Sequence, residues 1–578
     1  MDKKSYCIAW LMLLFVGSLH AQYRTTTYCN PLNLDYTYPF HNSHLGKSYR
    51  SGADPAVVGF RGEYYMFVTR SWGYWHSKDL LNWDFITPEK WYFEGCNAPA
   101  AHNYKDSVLY VCGNPSGAMS ILYTDNPKRG DWKAVPSVLH DLQDPALFID
   151  DDERAYMYWG SSNRWPIRGK ELDMTNKFLP MAKKPDSLLY LRPDIHGWER
   201  FGENHTSDIK PFIEGAWMTK HNGKYYLQYA APGTQFNVYG DGVYVGKSPL
   251  GPFEYAAHNP FCYKPGGFAT GAGHGSTVCG PGGIYWHFGT IHLSINYKFE
   301  RRLCMFPTFF DEDGAMYSDT YFGDYPHYSP DQVSRQTTSG GFRGWMLLSY
   351  GKPVKASSQL ESYPVENVTD ENLKTFWVAE KNDDKQWVEI DLEEVSDVYA
   401  LQLNFFDYEE TGFWGRMPNL RQRYLVEASV DGARWRVLVD YRNSFRDAPH
   451  NYIELDQPIE ARYIRYRHHY VPGKNLAMGD IRVFGLGRGK KPATVKGFTV
   501  VREAGERNAR ISWKAVKGAQ GYNVLWGVAL DKLYSSWMVY GDNSLDLRAL
   551  TVGQKYYFAI ESFNENGISQ RVFLREAH

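Results

Sequence analysis

Five short aromatic phrases place the tightest limit on what this chain can fold into. "EYYMFVT", "SVLYVCG", "RAYMYWG", "KYYLQYA" and "GIYWHFG" recur at intervals of roughly 45–70 residues across residues 63–289. Each is short and carries at least one Tyr, and turn residues separate them, the pattern of strands joined by turns. Further strand-like pieces, "AMSILYT" and "GVYVGKS", lie between them. About four strands in each of five units predict an all-β, five-bladed β-propeller, with a β-sandwich or irregular jelly roll as the competing solution. The aromatic content of 16%, with 44 Tyr and 19 Trp, fits half-buried pleated surfaces. Flat rings also suit contact with sugar faces.

Three of these units share a longer opening. Residues 53–69 read "ADPAVVGFRGEYYMFVT", residues 142–160 "LQDPALFIDDDERAYMYWG" and residues 213–231 "IEGAWMTKHNGKYYLQYAA". Asp54, Asp144 and Glu214 therefore stand at equivalent places in a repeating unit, while Asp150, Asp151 and Asp152 read as the solvated turn of their hairpin. An Asp before Pro is a common turn starter, so each acid alone is unremarkable. Inner strands of a propeller converge on one axis, and the ordered trio then points into one funnel.

The ordered set resembles glycoside hydrolase family 43, over roughly the first 300 residues after the leader. The resemblance is supported by "WHSKDLLNW" (residues 75–83) and "GHGSTV" (residues 273–278). It implies that Asp54 is a general base, Glu214 a general acid and Asp144 a group that tunes pKa. Hydrolysis with inversion needs an acid and a base about 6.5–9.5 Å apart. The resemblance also makes His274, Arg301 and Arg302 substrate-site candidates, with His274 as a candidate axial metal or water site; Trp75 and Trp217 are candidate pocket walls. The chain departs from the family at Ala216 and Trp217, and at "NAP" (residues 97–99), positions that would reshape a sugar pocket. α-L-Arabinofuranosides are the implied substrates, with β-D-xylosides and β-D-galactofuranosides as alternatives. A non-catalytic carbohydrate-binding propeller is the rival of another class.

Beyond "SRQTTSGGFRG" the blade phrase disappears. "NVTDENLKTFW" and "VEASVDGARWRVL" resemble the discoidin-like F5/8 type C fold, which implies Asp370, Thr375 and Asp480 as candidate ligands of a structural Ca²⁺. After the basic "GLGRGKKPA", the strands "ARISWKAVKGAQGYNVLWG" and "KYYFAIESFNENGIS" resemble fibronectin type III, with Trp513, Tyr522 and Tyr556 as core and corner aromatics. The expected division is a signal peptide at 1–21, a propeller at 22–340, a discoidin-like sandwich at 345–488 and a small sandwich at 493–578. Both C-terminal units are expected to be accessory to the chemistry.

Lys3 and Lys4, a short apolar run and "LHA" before Gln22 read as a cleaved secretory leader, so the expected location is secreted or periplasmic. No later segment reads as a bilayer span. A net charge of −2 and the lack of a basic stripe argue against nucleic acid. No P-loop, dinucleotide fingerprint, nucleophile elbow or zinc spacing is present. The partner implied is an oligo- or polysaccharide, and no cofactor is required for the chemistry. Six Cys follow the leader, all before residue 305; their pairing and the oligomeric state are left open.

Overall fold

The computed structural model describes residues 25–39, 46–89, 93–114, 118–136, 139–140, 142–181, 184–333 and 341–574. The expected leader lies outside them. Among the described residues there is no α-helix, only strands and short 3-10 turns, and so no helix long and apolar enough to cross a membrane.

Five antiparallel sheets, numbered I to V here, follow one another along the first half of the chain. Their first strands are Ala56–Phe60, Asn97–Tyr104, Ala146–Ile149, Glu214–His221 and Gly273–Cys279. Each pairs with the next strand in sequence: Glu63–Phe67, Val108–Asn114, Ala155–Trp159, Lys224–Ala231 and Tyr285–His292. Each second strand coincides with most of one of the five aromatic phrases. The first strands touch in cyclic order, I to II through to V, and V returns to I. The ring closes through Ser276, whose Oγ accepts from Val57 N at 2.8 Å and donates to Pro55 O at 2.7 Å. This is a β-propeller with its first strands lining the axis. Apolar residues on both faces of each sheet explain it: Val57 and Met66 pack toward one neighbour, and Val58 and Phe67 toward the other.

The second unit is built on two long bent strands, Trp387–Phe405 and His450–Tyr470, paired antiparallel. Register shifts at Asp391/Ser396 and Val398/Ala400 are bulges that let one strand serve both layers of a sandwich. Its own core is centred on Trp377, Leu401, Tyr424 and Ile481. The third unit is a small sandwich of two sheets. Trp513, Tyr522 and Tyr556 are buried in it, and the Tyr522 and Tyr556 hydroxyls accept from Val516 N and Thr551 N.

Neither unit hangs free. The third unit shares a continuous apolar cluster with sheets III and IV, and Tyr534 stacks on Tyr317 with ring centres 3.7 Å apart. The second unit is joined to the propeller by buried charge. Arg50, with 2% of its side chain exposed, meets Asp407 at 2.8 Å and Asp447 at 2.5 Å. Arg482 pairs with Glu371 at 2.7 Å and donates to the Asp324 carbonyl of the propeller at 2.6 Å. The basic stretch expected as a linker is also tied: Arg488 pairs with Asp397 and Glu460. None of the six Cys forms a disulfide; Cys279 is exposed and the other five are buried.

Candidate active site

Asp54, Asp144 and Glu214 stand at or just before the first residue of the first strands of sheets I, III and IV, at one end of the propeller axis. The backbone there is unusual. Asp54 (φ 57°), Asp144 (φ 49°) and His274 (φ 48°) all adopt left-handed conformations, which cost free energy in non-glycine residues and are held only by surrounding structure.

His274 sits between the acids. Its Nδ1 lies 3.4 Å from Asp54 Oδ1 and 3.8 Å from Asp144 Oδ2. Its backbone is fixed by the fully buried Asp241, which accepts from His274 N at 2.7 Å and Gly275 N at 3.0 Å. The glycine of the "EG" pair has a steric cause: a Cβ on Gly215 would come within 2.8–3.0 Å of His274 ring and backbone atoms. Gly273 is likewise pressed against the Tyr239 ring.

The three carboxyls have different environments. Asp54 is buried, which alone would raise its pKa, but Arg301, His274 and the Thr69 hydroxyl hold it below the ordinary 3.8. Thr69 Oγ1 donates to Asp54 Oδ2 at 2.5 Å, and Arg301 Nη1 is 3.5 Å from Oδ1. Burial pushes Asp144 up to about 7, opposed by His274 and reinforced by the charges of Glu214 and Asp54. Glu214 accepts from Tyr239 Oη at 2.6 Å and from Ser161 Oγ at 3.1 Å. Ser161 hydrogen-bonds Asp144 as well. Burial disfavours protonation of His274, but the surrounding Asp54, Asp144, Glu214 and Asp241 outweigh it and raise its pKa.

The structure thus brings Asp54, Asp144, Glu214, His274 and Arg301 together. It does not bring Trp75 or Arg302. Trp75 is 1% exposed, packed among Val57, Met66 and Trp286, and its Nε1 donates to Asp35 at 2.7 Å. It is a core residue of sheet I, not a pocket wall. Arg301 and Arg302 are adjacent in one strand, so their side chains point to opposite faces. Arg302 turns away from Asp54 to His450 of the second unit at 2.8 Å. Trp217 lies across the axis: its Nε1 donates to Thr277 O on sheet V at 3.3 Å and its ring packs on the cluster of Val58 and Ala101. It plugs the axis three residues along from Glu214.

Thr69, Ser161, Tyr239 and Asp241 were not singled out by sequence. Hairpin register could have found the first. Ala56 pairs with Phe67, so extending the hairpin by two residues sets Asp54 opposite Thr69.

The second unit reaches the rim of the same end. Strand Glu63–Phe67 returns toward the acids, so the loop after it, with Thr69 and Trp72, lies on the acid side. Gly415 pairs with Tyr38 (N–O 2.7 and 3.0 Å), and Trp414 meets Trp72 edge-on at 5.1 Å. Trp414 remains 47% exposed.

Among the described residues no three His, Cys, Asp or Glu side chains converge to hold a metal. The Ca²⁺ candidates fit a hard cation in part. Asp370 and Thr375 are engaged with each other at 2.7 Å, whereas Asp480 is buried with Oδ2 lacking a hydrogen-bond partner. A cation there would be held by Asp480 and Asp370 and would brace the loop.

A propeller that gathers one buried and two half-buried carboxyls, a histidine and an arginine at one end of its axis belongs to the class of carboxylate-centred β-propellers. Residues 49–316 match the family described as Glycosyl hydrolases family 43, and residues 353–478 match the F5/8 type C domain. The propeller thus matches a glycosyl hydrolase family 43 domain, and an F5/8 type C domain match follows it. It is 32% identical over 202 residues to a "Beta-xylosidase" of Xylanibacter ruminicola, covering 31% of this chain and 57% of that protein. It is 24% identical over 331 residues to an "Arabinoxylan arabinofuranohydrolase" of Bacillus subtilis (strain 168), covering 46% and 60%. The alignments thus span less than two thirds of these relatives. Among solved structures, a thermostable family-43 glycoside hydrolase aligns with a TM-score of 0.43 and 20% identity, over 53% of this chain and all of that one.

Proposed function

We propose that the protein is an exported glycoside hydrolase that acts with inversion on arabinose- or xylose-bearing plant polysaccharide, with α-L-arabinofuranosides as the first substrates and β-D-xylosides or β-D-galactofuranosides as the alternatives. Export rests on the leader-like N-terminus, and the sugar on the relatives' names. The observation that carries the mechanism is the gathering of Asp54, Asp144 and Glu214 around His274 at one end of the axis. Their surroundings act in opposite senses: its neighbours favour ionised Asp54, and burial pushes Asp144 up to about 7.

In this reading Asp54 activates water as general base, with Arg301 and Thr69 aiming it. Glu214 delivers the proton to the departing oxygen. Asp144 is the modulating neighbour of Glu214, its own proton favoured by burial and by the charges of Glu214 and Asp54. A serine hydroxyl has a single hydrogen. Glu214 and Asp144 therefore share that hydrogen, which makes Ser161 a bridge between the two. His274 spaces the acids and offsets their charge. No cofactor enters these steps.

The test is the anomer formed first. Proton NMR in the first minutes should show the inverted sugar, and Asp54→Asn should lose turnover without yielding a retained product in azide. A retained anomer would make Asp54 a nucleophile and refute the role. Failure to hydrolyse a panel of aryl glycosides, with sugar binding intact, would favour the non-catalytic carbohydrate-binding propeller.

A further inference from the structure

The loop that carries Ser161 also carries an unusual surface. Ser162 and Ile213 exchange backbone hydrogen bonds of 3.0 Å in both directions, which zips this loop to the residue just before Glu214. Ser162 Oγ accepts from Arg164 N at 2.9 Å and Trp165 N at 3.1 Å, fixing the turn. Trp165 is nevertheless 58% exposed, with the exposed Phe212 on the adjoining segment. The guanidinium carbons of Arg164 and Arg168 lie 5.8 and 5.4 Å from the Trp165 ring. Among the described residues neither arginine forms an ion pair, in contrast to Arg50, Arg465 and Arg482, which each meet a carboxylate.

We propose that this loop is a leaving-group subsite for a carboxylated sugar. The inference rests on the proposed role of Glu214, which must face the departing group. A rigid loop zipped beside Glu214 is then beside that group as well. An exposed indole offers an apolar platform for a sugar face. Two guanidiniums lying over that ring, neither in an ion pair, offer the planar donor fork that matches a carboxylate. The substrate class is a uronic acid-bearing polysaccharide, with the uronate on the leaving-group side of the bond cut.

Calorimetric titration of the Asp54→Asn protein tests it with two probes: a neutral xylooligosaccharide, and the same oligosaccharide carrying a glucuronic acid branch. The acidic probe should bind about tenfold tighter at low salt, the size of one charge-assisted contact. The preference should shrink toward unity in high salt and in Arg164→Ala/Arg168→Ala, whose unfolding temperature is checked alongside. Arg164→Lys/Arg168→Lys should recover part of it. Trp165→Ala should weaken both probes alike. Equal binding of the two probes, or a preference that survives the double alanine variant in a folded protein, overturns the subsite. Neither result depends on turnover, so the test of Glu214's role fails or stands separately.

Discussion

Replacing Asp144 by Asn should weaken activity and yet stabilise the protein, by an amount that grows with pH. Burial and two neighbouring carboxylates raise Asp144 from the ordinary 3.8 to about 7. An aspartate raised in the folded state contributes stability that is fully present below pH 3.8 and is lost as pH rises through about 7. Between pH 5 and pH 7 the unfolded chain is ionised at this position while the folded one is not. The loss is about 1.4 kcal/mol per pH unit, or ~3 kcal/mol over those two units, and then levels off. Asn cannot ionise and escapes the loss. Asp144→Asn should therefore gain ~3 kcal/mol on the wild type between pH 5 and pH 8, roughly 6–12 °C in a domain of 150–250 residues and less in a larger unit. The assay is thermal unfolding of both proteins at pH 5, 6, 7 and 8. The same variant should lose hydrolysis because Glu214 loses the neighbour that controls its proton. A stability difference that does not change with pH, or one that moves against the variant at pH 8, would mean that Asp144 is ionised throughout and the proton is stored elsewhere.

Two further outcomes follow from the contacts between units. Arg50→Met leaves Asp407 and Asp447 facing one another without their buried cation, and should cost about 3–5 kcal/mol, read as a fall in unfolding temperature; an unchanged temperature would show that this join carries no stability. Trp414→Ala should raise KM for polymeric substrate several-fold, about the 1 kcal/mol scale of a lost aromatic contact, with little change in kcat; equal effects on polymer and on a small aryl glycoside would remove Trp414 from the substrate path.

Much of the architecture was legible in the chain because the signals are local. Alternation and turn residues mark strands within a few residues, and the aromatic phrases repeat with the sheets. The three acids were legible for the same reason: a residue at a fixed offset from a repeating strand takes a fixed place around the axis. Orientation within a strand was less accessible. "FERR" offers two arginines, and strand alternation sends one to Asp54 and the other to His450, but the phase depends on which face meets the second unit. Trp75 sits in a motif that matches the family, yet its ring fills the interior of sheet I.

The sequence determined, on its own, the repeating strands, the positions of the carboxyls and the boundary where the repeat ends, since each depends on neighbours close along the chain. Only the tertiary structure decided which groups share the axis with those carboxyls. Thr69, His274 and Arg301 come from separate parts of the chain, and their convergence holds Asp54 low, while burial and the charges of Glu214 and Asp54 push Asp144 up. The join of the units was likewise decided in three dimensions. Arg50 and Asp407 are 357 residues apart, and a buried ion pair across that separation leaves no mark on the residues around either partner.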